Sequence, residues 1–331
     1  MPPPTDDAEL VVASGIDLVL LSRDELLVQY GTRSRPSELF RDDELTGLLG
    51  TLVDSLRSGP VRVASLVAAV APQLREEARR VVADLVERGF LTDVGRDLVT
   101  QYLAYTFEGS RDAGEHPVTV IGAGPLGARI AASLASHPVG RIELLAERAP
   151  GVDAIRSAVD GTALTVVALE RTDLRLAHLV NRVCLELRRP WLHAGMDGNR
   201  GLIGPLFVPP YTACFNDYWT LVAATTPSPA MANAYRRRTS SREDNDLPSG
   251  PPVFADIVAG HAVLAVLHFL LRDTSFAVGR QVVVDFDSLR IDVEDVLKLP
   301  RCPVCGTDRP SRRPVIASEI VAQRPAPAHA R

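Results

Sequence analysis

The run Val118-Thr119-Val120-Ile121-Gly122-Ala123-Gly124-Pro125-Leu126-Gly127 holds the residues whose types and spacing best suit chemistry. Gly-x-Gly-x-x-Gly behind a run of β-formers is the dinucleotide fingerprint: Gly122, Gly124 and Gly127 would let a helix start approach a phosphate closely. Glu147 stands twenty residues beyond Gly127, where an acid can bind ribose hydroxyls. Pro125, however, supplies no N–H where a phosphate cradle wants donors. A second candidate is Cys302-Pro-Val-Cys305-Gly306, a knuckle of two thiolates with a glycine to allow the turn. A redox role suits it less, because the pair follows the fold and does not begin a helix of a βαβ unit.

These groups need a scaffold, and the hydrophobic pattern supplies one. The β-formers before Gly122 read as a buried parallel strand, and Leu126, Ile130 and Leu134 as one face of a helix. The pattern predicts strands at 117–121, 141–146, 164–168, 190–194 and 280–287, with helices at 126–136, 173–188 and 253–272, which is a Rossmann-like α/β arrangement. Thr226 to Pro252, rich in Pro, Ser, Arg and Asp, reads as a loop. Upstream, Ile16 to Leu21 and Leu26 to Tyr30 read as a hairpin around Ser22-Arg23-Asp24-Glu25, with Pro36 to Phe40 as a third strand. Three helices follow. Glu44 to Arg57 is capped by Asp42-Asp43-Glu44 and has Leu45, Leu48, Leu49, Leu52 and Leu56 on one face; Val63 to Val70 is short; Leu74 to Arg88 ends at Gly89. With Phe90 to Asp93 as a wing, this is a winged helix–turn–helix pattern. The expected organisation is a disordered 1–8, a winged helix at 9–95, and a linker helix with a polar joint at 96–115. A Rossmann-like domain with the cysteine knuckle follows at 116–310, then a disordered tail at 311–331.

Composition narrows the classes. A length of 331 residues suggests about two domains, and a net charge of −5 gives no overall basic field for nucleic acid. A winged helix can read DNA, but the four arginines of Leu74 to Arg88 are balanced by Glu76, Glu77, Asp84 and Glu87. The most apolar window, Ile257 to Leu271, is shorter than a membrane span and contains His261 and His268, so it reads as a core helix. Four cysteines in a long chain, with no signal-peptide pattern at its start, suit a reducing cytoplasm. Cys184, beside Leu179, Val183 and Leu187, reads as core.

Further phrases accumulate: Val180-Asn181-Arg182-Val183-Cys184, Pro190-Trp191-Leu192, Ile203-Gly204-Pro205-Leu206-Phe207-Val208-Pro209-Pro210-Tyr211-Thr212-Ala213-Cys214, and Val296-Leu297-Lys298-Leu299-Pro300-Arg301-Cys302. Over about 10 to 310 this ordered set resembles ThiF-like proteins, the relatives of ubiquitin-activating enzymes. More closely, it resembles the ThiF-like partner proteins of azoline and thiopeptide clusters, which make ribosomally derived (RiPP) natural products. That resemblance implies an N-terminal RiPP recognition element that binds a precursor leader peptide, a YcaO-type cyclodehydratase as partner, a homodimer, and zinc. In similar proteins a second Cys-x-x-Cys completes a tetrahedral site. Here it is Cys214-Phe-Asn-Asp217, so the expected ligands are Cys214, Asp217, Cys302 and Cys305, the alternatives being a lost site or a weak one.

The departures from that pattern weigh against nucleotide chemistry. Adenylating relatives carry a ribose-binding Asp, then Arg and Lys for the phosphates, and a magnesium-binding Asp. Here the acid is Glu147, Arg148 to Ala163 leaves no room for the usual helix and strand, and Arg148 and Arg156 are its cations. Glu170 or Asp173 stands at the metal position, neither a clean match. Phosphoryl chemistry needs positive charge, so the expectation is no nucleotide and a non-catalytic scaffold that hands the precursor to the cyclodehydratase. The alternative is an ATP-dependent adenylating enzyme; an NAD-dependent oxidoreductase rests on the glycines alone. The leader would add a strand beside Ser37, Glu38, Leu39 and Phe40, with Arg75, Arg79, Val82 and Val86 of the third helix as the groove. The competing reading places Val82 and Val86 in the core and leaves the arginines solvated.

Overall fold

A computed structural model describes residues 4–31, 37–106, 116–225, 228–240 and 250–306. The chain divides into two units, Met1–Ser110 and Arg111–Arg331, taken here one at a time.

In the first unit, β1 (Glu9–Val12) precedes β2 (Ile16–Leu20), β3 (Glu25–Tyr30) and β4 (Ser37–Arg41). The last three form an antiparallel sheet in the order β2-β3-β4. Alternation divides its faces. The rows Leu18–Val28–Glu38 and Leu20–Leu26–Phe40 lie on the core side, and Val19–Leu27–Leu39 lie on the other. The helices α1 (Leu48–Leu56), α2 (Val63–Ala68) and α3 (Arg75–Glu87) cover the core side. β1 pairs instead with β5 (Val61–Arg62) and β6 (Leu91–Asp93), so the wing strand has a partner that the sequence pattern did not mark. α4 (Leu98–Thr106) is held by Gln101, whose Oε1 accepts from the Ser14 N–H at 2.8 Å.

Three expectations fail in this unit. The stretch Thr5–Ala8 is a turn and not disordered: the Ala64 N–H donates to the Asp6 carbonyl and Val63 N–H to the Ala8 carbonyl, both at 3.0 Å. The first helix begins at Leu48, not Glu44. The Asp42 carboxylate accepts from the Glu44 and Thr46 N–H groups and from Thr46 Oγ1. It therefore closes a local turn and leaves Leu45 75% exposed with φ +54. Finally, Ala78, Val82, Leu85 and Val86 form one buried stripe of α3, so the two valines hold the helix to its own core and line no groove. Gly89, at φ +76, ends α3 as expected.

The second unit is built on one seven-stranded mixed sheet. In chain order its elements are β7 (Val118–Ile121), α5 (Pro125–Ala135), β8 (Ile142–Leu145), α6 (Val152–Val159), β9 (Leu164–Leu169) and α7 (Leu174–Leu187). Then come β10 (Trp191–Asp197), β11 (Arg200–Phe207), α8 (Phe215–Thr225), α9 (Pro229–Ser240), α10 (Pro252–Arg272), β12 (Arg280–Asp285) and β13 (Arg290–Asp295). The sheet order is β13-β12-β11-β10-β9-β7-β8, parallel from β8 to β10 and antiparallel from β10 to β13. β7 and β9 are buried along their whole length, as strands covered on both faces must be.

α10 is long and apolar enough by length to cross a membrane, but it packs on α5, β10 and β11, and its Ala262, Val266 and Leu270 lie in the core. A further cluster joins Ile155 and Val159 of α6 to Val180 of α7, Trp191, Phe207 and Phe215. Three differences from expectation stand out. Arg148 to Ala163 does contain a helix, α6. Strands β11 and β13 extend the sheet. The expected loop 226–252 carries α9 over Pro229–Ser240. The polar joint 108–115, residues 241–249 and the tail 311–331 lie outside the described residues.

Candidate functional site

The glycine turn joins β7 to α5 with very close backbone approach. A Cβ on Gly122 would lie 2.5 Å from the Ala168 carbonyl oxygen, and one on Gly127 would lie 2.7 Å from the Gly122 oxygen. Both glycines are there for strand–helix packing. Gly124 is the N-cap of α5 and Pro125 its first residue, so the next free donor is the Leu126 N–H. That donor is taken. The side chain of Glu170, just past β9 and 6% exposed, accepts from the Leu126 N–H through Oε1. A Cβ on Gly124 would come within 2.3 Å of Glu170 Cγ, so the carboxylate arm fills the space over the turn. A helix N-terminus favours an anion, and here the anion is a side chain.

The rest of this cavity is lined by Glu147, Arg148, Ala168, Leu169, Arg171, Asp173 and Leu176. Glu147 is exposed there. Asp173 caps α7, accepting from the Leu176 N–H at 2.9 Å, and Arg156 pairs with Glu186 of α7. Glu170, Asp173 and Arg156, three of the residues considered for a metal ion or phosphate, thus have structural partners. Glu170 was named in the sequence as a metal-binding candidate. Its place at the helix start joins the end of β9 to the start of α5, three elements earlier, and no local pattern marks that pairing.

The four candidate metal ligands do converge. Cys214 and Asp217 stand at the start of α8, while Cys302 and Cys305 follow β13. Their ligand atoms all lie within 4.8 Å of one another, and the residues are 2, 0, 4 and 4% exposed. The Cys214 and Cys302 sulfurs are 3.7 Å apart, and no disulfide forms. Asp217 Oδ2 accepts from the Cys214 N–H at 3.0 Å and from Cys305 Sγ at 3.2 Å, whereas its buried Oδ1 has no partner. Two thiolates of a tetrahedral zinc, with bonds of about 2.3 Å, would stand ~3.8 Å apart, so the donor set fits such an ion. The hydrogen bond from Cys305 lowers Cys214 to about 7, burial raises Cys302, and its bond to Cys214 raises Cys305. The Asn216 amide donates to Cys302 Sγ at 3.5 Å, and buried Asn181 accepts from the Phe215 N–H at 3.0 Å, fixing the start of α8. Asn181 was noted as part of a phrase; its role as an anchor was not read from the sequence.

A buried polar group near this cluster has a structural role. His193 shares a hydrogen bond with the Gly204 carbonyl at 3.1 Å, and burial pushes its pKa down to about 4, leaving it neutral. Gln281 donates to Tyr218 Oη at 2.8 Å.

In the first unit the expected recognition residues separate. In β4, Glu38 accepts from Arg88 Nη1 at 2.5 Å, and the Arg88 guanidinium lies 5.5 Å over the Phe40 ring, which meets Phe90 edge-on. Arg88, at the end of α3, was not foreseen as part of this edge. Leu39 points to the other face and is 44% exposed. The Asp42 N–H bonds to the Asp24 carbonyl at 2.8 Å, so by antiparallel alternation Phe40 and Glu38 face β3. The N–H and C=O groups of Ser37, Leu39 and Arg41 therefore face the open edge among the described residues. Arg75 is exposed, and Arg79 pairs with Asp6 at 3.1 Å.

No known family model and no curated protein sequence matches this chain. Among solved structures, the chain is similar in fold to the heterocyclase TruD, with a TM-score of 0.64 and 18% identity over 90% of this chain and 43% of that one. It is similar to a heterocyclase solved with substrate and cofactor, with a TM-score of 0.65 and 15% identity over 90% and 39%. It is also similar to E. coli MccB, with a TM-score of 0.57 and 14% identity over 92% and 99%. The chain spans less than half the length of the two heterocyclases and nearly all of MccB. At these identities the likeness shows the fold alone.

Replacing Glu170 with Ala leaves the buried Leu126 N–H without a partner, and unfolding in urea is expected to show a loss of about 1–3 kcal/mol. Glu170→Gln, which keeps an acceptor oxygen, is expected to lose less.

Proposed function

We propose that this chain is a non-catalytic, leader-peptide-binding partner of a YcaO-type cyclodehydratase in azoline or thiopeptide biosynthesis. The observation that carries the proposal is the open edge of β4, with the backbone groups of Ser37, Leu39 and Arg41 turned outward beside the Arg88–Glu38 bridge. A leader in extended conformation adds a fourth strand there, taking affinity from the main chain and selectivity from the Arg88 and Phe40 side chains. The sequence resemblance and the fold likeness to heterocyclases and to MccB, which has been solved with MccA, support a peptide as the ligand.

In this reading the second unit is a scaffold. Glu170 occupies the helix start that would hold phosphate, Pro125 withholds a donor, and the cavity's Arg148 and Arg171 share it with the acids Glu147, Glu170 and Asp173. An adenylating enzyme is the competing reading, favoured by the fold likeness to MccB, which has also been solved with ATP. ATP–pyrophosphate exchange in the presence of a precursor peptide separates the two, and no exchange is the expected result. Zinc held by Cys214, Asp217, Cys302 and Cys305 would be structural: four protein donors leave no open coordination position. Elemental analysis of the purified protein is expected to find about one zinc per chain, lost in Cys302→Ser together with thermal stability.

Leu39→Pro is the sharpest probe of the edge. It removes an outward N–H and leaves the β3–β4 ladder intact, since proline is tolerated on an edge facing solvent. Fluorescence polarisation with a labelled leader peptide is expected to show binding to the wild type and about tenfold weaker binding to Leu39→Pro. An unchanged affinity would remove β4 as the binding edge.

A further inference from the structure

The sheet of the first unit carries an apolar row on its solvent side, and that row ends at the open edge. Val19, Leu27 and Leu39 stand opposite one another across β2, β3 and β4, on the face away from the helices. Val19 and Leu39 are 39 and 44% exposed. The solvent face of an antiparallel sheet is ordinarily polar. A strand added to β4 places one residue opposite Leu39 and extends the row to a fourth strand.

The other side of the same edge carries charge. Two carboxylates there share one guanidinium: Arg88 donates to Glu38 through Nη1 at 2.5 Å and to Asp84 through Nε at 2.9 Å. The remaining arginines of α3 are engaged elsewhere or distant. Arg79 pairs with Asp6 and Arg80 with Glu77. Arg75 begins the helix, about 20 Å from Arg88 by the rise per residue. Among the described residues, the corner formed by Glu38, Asp84 and Arg88 therefore holds an excess of negative charge.

Backbone pairing determines which ligand residues meet each feature. The N–H and C=O groups of Leu39 face outward, so one residue of an antiparallel ligand strand exchanges both bonds with Leu39 and turns its side chain to the apolar row. The residue before it meets Phe40 and the Arg88 guanidinium over its ring. The residue after it stands opposite Glu38, on the α3 side. That position is a non-hydrogen-bonded pair, in which side chains approach most closely. An acid there faces Glu38 as a like charge, whereas Lys or Arg takes the uncompensated share of Glu38 and Asp84.

We infer that β4 selects a leader strand in which an aliphatic residue is followed by Lys or Arg. Leu39 reads the first on the outer face; Glu38 and Asp84 read the second on the α3 side. This inference rests on the leader-peptide reading above and adds the chemistry of the ligand to it. The Glu38 and Asp84 side chains are 31 and 40% exposed, so solvent screens them and the matched charge is expected to be worth about threefold in affinity.

Selection of a displayed library of random short peptides on the immobilised full chain tests it. The wild type is expected to enrich an aliphatic residue followed by Lys or Arg. Glu38→Gln is expected to abolish the preference for the cation and keep the aliphatic residue, and Leu39→Thr to do the reverse. Glu38→Gln with Asp84→Asn leaves Arg88 uncompensated and is expected to turn the preference to Asp or Glu. Two labelled peptides that differ only in a central Leu-Lys or Leu-Glu are expected to differ about threefold in Kd on the wild type and to exchange order on the double variant. Enrichment of acids by the wild type, or a cation preference that survives the double variant, would overturn the inference. A pool without this pattern that is nonetheless lost with Leu39→Pro also overturns it, and leaves β4 as the binding edge. A pool indifferent to Leu39→Pro removes the edge reading and this inference together.

Discussion

The amino end of α5 must be met by negative charge, and in this chain the charge comes from inside. Glu170 reaches from the end of β9 to the Leu126 N–H across the glycine turn. That contact ties together three elements that are distant in sequence: β7 through the turn, α5 through its first free donor, and β9 through the residue itself. The close packing at Gly122 and Gly127 works toward the same end, because Ala168 and Glu170 can stand so near only where no side chain intervenes. The glycines of the dinucleotide fingerprint pack a strand against a helix here. A fixed carboxylate stands where a ligand's phosphate would otherwise stand.

Much of this architecture could be read from the residues, and the failures have physical causes. The periodicity of α5, α7 and α10 and the unbroken apolar runs of β7 and β9 are strong signals, since each reports burial along a whole element. β1, β5 and β6 together make a small sheet of short strands, whose partners are far apart in the chain and leave little local pattern. Leu45 carries the right side chain for a helix face. It was excluded by Asp42, whose three hydrogen bonds stabilise a turn that ends before the helix begins. Val82 and Val86 show the limit of a helical wheel: a wide apolar face looks the same whether it meets a ligand or its own core.

At the candidate sites, residue types were legible and pairings were not. Cys214, Asp217, Cys302 and Cys305 were brought together in the sequence by resemblance, and in the fold by burial and mutual approach. Spacing alone joins Cys302 to Cys305; nothing local joins that knuckle to the start of α8. Likewise, Glu38 and Phe40 could be placed on a strand, but the rim they form with Arg88 depends on where α3 ends, which Gly89 fixes.

The knuckle has one more consequence, for the chain as a polymer. Cys214 and Cys302 are 88 residues apart, and the segment between them contains α8, α10 and the β12–β13 hairpin. An ion held by all four ligands would act as a removable staple on that loop. By the loop-entropy relation for covalent cross-links, closing a loop of this size restricts the unfolded ensemble by about 4–5 kcal/mol. A chain that kept its ion while unfolding would search from a closed ring that carries β12 and β13, which shortens the search by which β12 meets β11.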